Sequence, residues 1–590
     1  MPQRTTLLLL ASIVLAPAAM AQPNFPFLFS AENSASYNAN VAPGSLFVVF
    51  GMNIGPAEII HANSLPLATQ LGGTSITVSS PSVASIACPM VYASAGQAAA
   101  ILPSSVPVGE YMVNLTYNGQ TTQFGPQLTV TPTAAGLFTL SGSGLGPGVF
   151  TGANGGANRN FALTVKSGDT VTAWGTGLGP VSGPDNALPS TFPNFPGVEV
   201  FVGTQAAKVI YAGRSGCCVG VDQIAFEVPP GFAGCYVPVV VSVAGTLSNF
   251  VSISVNNDGG PCSDTAPTIP TSVMNDAIAG KSVTAAGLAL GPAQVLQGLG
   301  FNETLYLATK LSRLLHAKVS EDDVRKLLLA RETGSQRALT RAMLKYAASW
   351  KALDPKAKAA VKAILSPTQE GAVAGFGNFN SPNALASALG GLFPSQGTCT
   401  VFPSQFVGRT ASGLNAGASL ALTGQAGSWT LKPSRTGQYQ VLFGNSPAGP
   451  NLPAGSYNIA GSGGADLGAF SATLHVGGNV VWTNKAGINT IDRSQPLTVT
   501  WSGGTNPGYV LIGGYLLSNA AGLNGFVCSE ETSKGSFTIP SFILAVLPEA
   551  LPGGRMFISP HPLSQQVTIP GIDLAYFIDG SSDSKSVIYQ

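Results

Sequence analysis

Glycines at 175, 177 and 179 close the stretch VKSGDTVTAWGTGLGP, residues 165–180, after an alternating apolar run. Backbone amides in such a loop can cradle a phosphate, so the first chemistry to weigh is nucleotide binding. The dinucleotide pattern GxGxxG requires its third glycine where Pro180 stands, and no helical pattern follows. Gly142-Ser143-Gly144 meets Pro147 in the same way. Gly280-Lys281-Ser282 has the ending of a phosphate loop, but Asn275 occupies the position of its first glycine. Phosphate binding is set aside; the glycines are expected to supply positive φ and close backbone approach.

Acid–base and metal chemistry are equally sparse. The four histidines, His61, His316, His475 and His561, include no two at metal-ligand spacing. A Ser-His-Asp site assembled from distant segments stays open as the hydrolytic alternative, although no GxSxG elbow supports it. Asp222 and Glu227 flank the run QIAF and are the one candidate carboxylate pair. Glu321-Asp322-Asp323 is better read as a favourable helix N-terminus. Trp429, Trp482 and Trp501 are expected in a core; the alternative is that Trp429 and Trp482 stack on sugar rings. No catalytic residue, cofactor site or metal site is assigned.

Seven cysteines remain. Cys217, Cys218, Cys235 and Cys262 are expected to form two bridges, and three pairings are open; a metal site is the rival reading, without a nearby histidine. Cys399 and Cys528 bracket the C-terminal β region as a natural staple, which leaves Cys88 over. Disulfides suit an exported chain. The N-terminus agrees: MPQRTTLLLLASIVLAPAAMAQ carries Arg4, an apolar run and Ala19-Met20-Ala21, the pattern of a signal peptide spanning 1–21 and cut near Ala21. No later apolar run reaches the ~18–20 residues of a membrane helix. The expected location is secreted or at the cell envelope.

The elements that position these residues show in composition and repetition. Only 9% of residues are charged and 45% are hydrophobic, with 72 glycines and 43 prolines, which indicates many short strands joined by tight turns. The net charge of +1 gives no general pull toward nucleic acid. A shift of 124 residues superimposes Val41, Gly44, Phe50, Gly51, Gly55 and Pro56 on Val165, Gly168, Trp174, Gly175, Gly179 and Pro180. Tyr92-Ala93, Gln97 and Pro103 are repeated as Tyr211-Ala212, Gln223 and Pro229. The first half is thus an internal duplication of two β-sandwiches.

These paired motifs, VAPGSxxxxFGxxxGP and then WGTGLGP, resemble an uncharacterised tandem domain of exported acidobacterial proteins, similar to IPT/TIG immunoglobulin-like domains. The resemblance covers about residues 28–256 and implies a fold and an exported context, with no activity attached. Cys217-Cys218 and an insertion between Tyr211 and Gln223 depart from the repeat. The segment after 399 also resembles β regions of related secreted proteins.

Beyond the duplication the composition changes. Residues 257–300 read as a linker. Residues 301–370 hold 13 of the 27 Lys and Arg, and Leu307, Leu311, Leu314 and Leu315 share one helical face. Ser320 with Asp323 forms a capping pair. The basic face is expected to be solvated. From about 399, strand signals recur every ~10 residues, as in a sandwich.

The expected architecture is mainly β: signal peptide 1–21, immunoglobulin-like sandwiches 22–132 and 133–256, linker 257–300, helical insert 301–395 and a C-terminal sandwich 396–590. The expected role is non-enzymatic binding, adhesion or scaffolding, with extracellular polysaccharide or surface proteins as partners and no nucleic acid. A secreted carbohydrate-active or other hydrolase is the alternative.

Overall fold

The computed structural model describes residues 25–152, 161, 164–265, 268–292, 370–379, 394–402, 412–444, 452–477, 480–504, 508–518, 522–547, 554–561, 565–579 and 582–590, with scattered positions between 311 and 358. The signal peptide expected at 1–21, His316 and most of the helical insert lie outside the described residues.

Two sheets form the first sandwich. One runs, edge to edge, through Phe27–Asn33, Leu46–Met52, Gln97–Ile101, Met90–Ala93 and Ile60–His61. The other runs through Asn40–Val41, Gln127–Val130, Gly109–Tyr117, Thr74–Ser80 and Val83–Cys88. Alternation sends Phe47, Val49, Ala98 and Ala100 inward onto Ile76, Val78, Val113 and Leu115. The short strand Asn40–Val41 crosses to the second sheet and pairs in parallel with Gln127–Val130.

The second sandwich repeats this wiring. Gly136–Leu137, Thr170–Thr176, Asp222–Glu227 and Gln205–Arg214 follow in the order of the first sheet, and Gly146–Pro147 pairs in parallel with Val251–Val255. Strand Gln205–Arg214 pairs with both Asp222–Glu227 and Val198–Val202, so the two sheets are continuous here. In the first copy Cys88-Pro89 interrupts the corresponding run, because proline has no amide to donate to a ladder. The described strands between Phe27 and Val255 therefore form tandem immunoglobulin-like sandwiches.

The second half departs from expectation. Residues 257–300 contain the helix Thr271–Ile278 and the strand Val283–Pro292. That strand pairs with Glu370–Phe379 over ten residues and lies parallel to Leu574–Asp579, so the helical region is inserted between two neighbouring strands. These strands continue through Gln438–Gly444, Gly427–Arg435, Leu420–Gly424, Gly455–Gly461 and Phe470–Val476 around one core. A separate core lies between a six-stranded sheet, from Thr398–Phe402 to Thr490–Ile491, and the sheet of Val480–Trp482, Leu497–Gly503 and Ser536–Ile539. The region expected as one C-terminal sandwich is built around two cores. Among the described helical residues, Ser320 Oγ donates to Asp323 at 2.6 Å and accepts the Asp323 amide, as the capping pair requires.

His561 is fully buried in the last sheet region, its amide donating to Tyr509. Burial penalises the imidazolium and pushes its pKa down to about 3, against an ordinary value of 6.5. The ring is neutral in the fold but protonates in the unfolded chain, so this stability is complete above pH 6.5 and is lost as pH falls toward 3. Denaturant titrations are expected to show about 2 kcal/mol less stability at pH 5 than at pH 7, a difference that His561→Gln removes.

Candidate functional site

The glycine loop after Thr170–Thr176 does hold an anion, and that anion is the chain's own Asp222. The Leu178 amide donates to the Asp222 carboxylate at 2.8 Å, and the Gly177 amide is turned to it as well. Asp222 is wholly buried and ion-paired with Arg214, itself 5% exposed. Burial raises the Asp222 pKa, with Arg214 and the loop amides pulling against it. The guanidinium also donates to the Gly179 carbonyl at 2.7 Å and lies 5.7 Å over the Phe195 ring. Asp222 and Glu227 thus form no catalytic pair: Glu227 faces Lys208 at 3.5 Å on the surface.

The glycines are needed for shape. Gly177 has φ +101°, and a Cβ there would meet the Ala134 carbonyl. Gly175 leaves room for the Gly136 carbonyl in the same passing segment. Gly177→Ala is expected to lower stability by about 1–3 kcal/mol through strain and overlap. Gly168→Ala, with φ +85° but open space around it, should lower it less. Thermal melts of the two variants check the order.

This loop is also the seam between the first two sandwiches. Gly44 of the first motif packs on the second sandwich so closely that a Cβ would lie 2.5 Å from Arg214 Nη2. The Leu46 amide donates to Thr176 Oγ1 at 2.9 Å, which donates onward to the Gly220 carbonyl at 2.7 Å. Ser104 is held by Asp185 through its amide and its hydroxyl, and Asn33 donates to the Ala134 carbonyl. Leu46, Leu67 and Ile101 from one side meet Phe138, Val219 and Val221 from the other. Hydrogen bonds and apolar contacts thus both cross the seam and tie the two sandwiches together. Sequence reading does not single out Arg214; the signal that finds it is an arginine eight residues before an aspartate, across one hairpin.

The remaining candidates are dispersed. Asp264 accepts hydrogen bonds from Ser395 Oγ, the Cys235 amide and Thr268 Oγ1, tying the segment after the second sandwich to the strand that begins at Thr398. Ser456 Oγ lies 3.0 Å from His475 Nδ1 as a cross-strand pair on an exposed face. Among the described residues no carboxylate orients that ring, as a nucleophile–base pair requires. His61 lies against Tyr92. Trp482 is 3% exposed and donates to Asn484, so it presents no face to a sugar; it is core, as is Trp501. Trp429 is half-buried, its ring 4.4 Å from Phe443.

Of the three open pairings, the structure shows Cys217–Cys218 and Cys235–Cys262, together with Cys399–Cys528. Cys88 is free and buried, its thiol pushed up to about 12 by desolvation. No group of three or more His, Cys, Asp or Glu among the described residues could hold a metal ion. No helix among them is long and apolar enough to cross a membrane.

No family model and no curated protein matches the chain. Among solved structures, the Bacteroides ovatus mixed-linkage glucan utilization locus protein SGBP-B, in complex with a heptasaccharide, is 15% identical over 43% of this chain, with a TM-score of 0.18. The chain spans 56% of that protein's length. S-layer protein SbsC, domains 5–6, is 10% identical over 39% of this chain and 98% of its own, with a TM-score of 0.15. The Yersinia pseudotuberculosis adhesin InvE is 12% identical over 42% of this chain and 64% of its own, with a TM-score of 0.12.

Proposed function

We propose that the chain is a non-enzymatic exported protein that works outside the cell or at its envelope by binding, adhesion or scaffolding. The observation that supports this most is the seam of hydrogen bonds from Leu46, Ser104 and Asn33 to Thr176, Asp185 and Ala134, which joins two successive sandwiches into one unit. Such a unit holds surfaces at a set separation. Three disulfides favour an oxidising compartment, and the duplicated motifs with their shared strand order support kinship with IPT/TIG-like tandem domains. Polysaccharide is the proposed ligand class, with Trp429 and Phe443 as the stacking surface. A glycan array probed with the full chain is expected to give signal that Trp429→Ala lowers about fivefold or more. Binding untouched by the substitution would remove Trp429 from the reading, and no binding to any glycan would remove polysaccharide.

The hydrolase alternative rests on Ser456 and His475. A fluorophosphonate probe is expected to leave Ser456 unmodified; labelling lost in Ser456→Ala would favour the alternative.

A further inference from the structure

The loop from Ser215 to Val221 joins the hairpin arms that end in Arg214 and Asp222, and it carries the disulfide between the adjacent residues Cys217 and Cys218. Both cysteines are exposed. In contrast, Cys399 and Cys528 are wholly buried and Cys235 is 3% exposed. Past the sulfurs the loop turns into the seam. The Val221 amide donates to the Cys218 carbonyl, and the Ser215 amide donates to the Val221 carbonyl. Gly220, with φ +74°, sits where a Cβ would lie 3.1 Å from Ile101 and Leu46, and its carbonyl accepts from Thr176. An exposed sulfur pair and a buried interdomain contact thus share one short loop. Beneath it, Ser215 is buried, with its Oγ 3.0 Å from Cys217 Sγ.

We propose that Cys217–Cys218 is a thiol–disulfide exchange site for an external dithiol, and that its redox state sets the stiffness of the joint between the first two sandwiches. One thiolate of the dithiol attacks the exposed Cys218 Sγ. The Cys217–Cys218 bond breaks, and Cys217 leaves as a thiolate that accepts the Ser215 hydroxyl hydrogen bond and then a proton. The second thiolate of the reductant attacks the mixed disulfide and releases Cys218. Two electrons and two protons pass from the dithiol to the cysteine pair, and the dithiol becomes a disulfide. Access decides which bridge reacts, because in-line attack on sulfur needs an open approach. Without its crosslink the loop tip relaxes, and Val219, Gly220 and Val221 loosen from Leu46 and Ile101.

The test uses the folded full chain in graded dithiothreitol, quenched with iodoacetamide and mapped by mass spectrometry, with amide hydrogen exchange in parallel. Cys217 and Cys218 are expected to label about tenfold or more faster than Cys235, Cys262, Cys399 and Cys528. Exchange in the peptides covering Leu46 and Gly220 is expected to quicken once the pair is reduced. Labelling no faster than at the other two bridges, whose cysteines are buried except for the half-buried Cys262, overturns the exchange site, and reduction without quickened exchange overturns its control of the joint. Ser215→Ala is expected to slow reduction severalfold; an unchanged rate overturns Cys217 as the leaving thiolate. With glutathione as a one-thiol reductant and iodoacetamide trapping the released Cys217 thiolate, the glutathionyl group is expected on Cys218; finding it on Cys217 instead overturns Cys218 as the point of attack.

Discussion

Arg214→Met is expected to destabilise the second sandwich by about 3–5 kcal/mol, the usual result of stripping one partner from a buried ion pair. Asp222 is left without its counter-charge at 0% exposure, and the Gly179 carbonyl loses its donor. Burying the pair gains little by itself, since desolvation offsets most of the attraction. For that reason a second substitution is informative. In many proteins, replacing both partners with apolar groups restores stability. Here Arg214→Met with Asp222→Leu should recover only part of the loss, because the Leu178 amide and the Gly179 carbonyl still lack partners at about 1–3 kcal/mol each. Urea midpoints of the single and double variants separate these cases. A double variant as stable as the native chain would mean the loop amides do not depend on Asp222.

Cys528→Ser should have a comparable effect in the last sandwich. Cys399 and Cys528 are direct cross-strand partners in a buried ladder, 129 residues apart. Closing so long a loop in the unfolded chain is worth about 5 kcal/mol in the chain-entropy account, and removal of native bridges is typically found to cost about 2–5. Cys262→Ser breaks a bridge with a separation of 27 and should cost less, about 3–4 kcal/mol by the same account. Calorimetry of the two variants tests the order. A larger loss for Cys262→Ser would place the stabilisation in native packing around Cys235.

Local pattern carried much of the architecture into view. The 124-residue offset is legible because each copy repeats the same glycines, and at Gly51, Gly55, Gly175 and Gly179 those glycines answer to backbone carbonyls inside the fold. Both copies use the loop to receive polar groups, but by different means. Ile54 in the first copy donates to the Ala95 carbonyl, whereas Leu178 in the second donates to Asp222. Asp222 could be read as a candidate acid from sequence, but its partner could not. Arg214 is defined by a hairpin register that only folding establishes.

Long-range pairing hid the rest. Val283–Pro292 reads as a small-residue spacer, and its identity as a strand comes from Leu574–Asp579, almost three hundred positions away. The two C-terminal cores were invisible for the same reason, since strands from 283–292 and 370–379 complete one of them. Trp482 and Trp429 occupy similar alternating runs, and only the sheet stacked above Trp482 buries it.

An assembly that binds its ligand without turning it over should be retained on that ligand and leave it intact. Purified full chain should be incubated with insoluble cell-envelope polysaccharide while pelleted protein and soluble reducing ends are followed over time. Saturable retention with no release of sugar is the predicted result; sugar released in proportion to protein and time would contradict it.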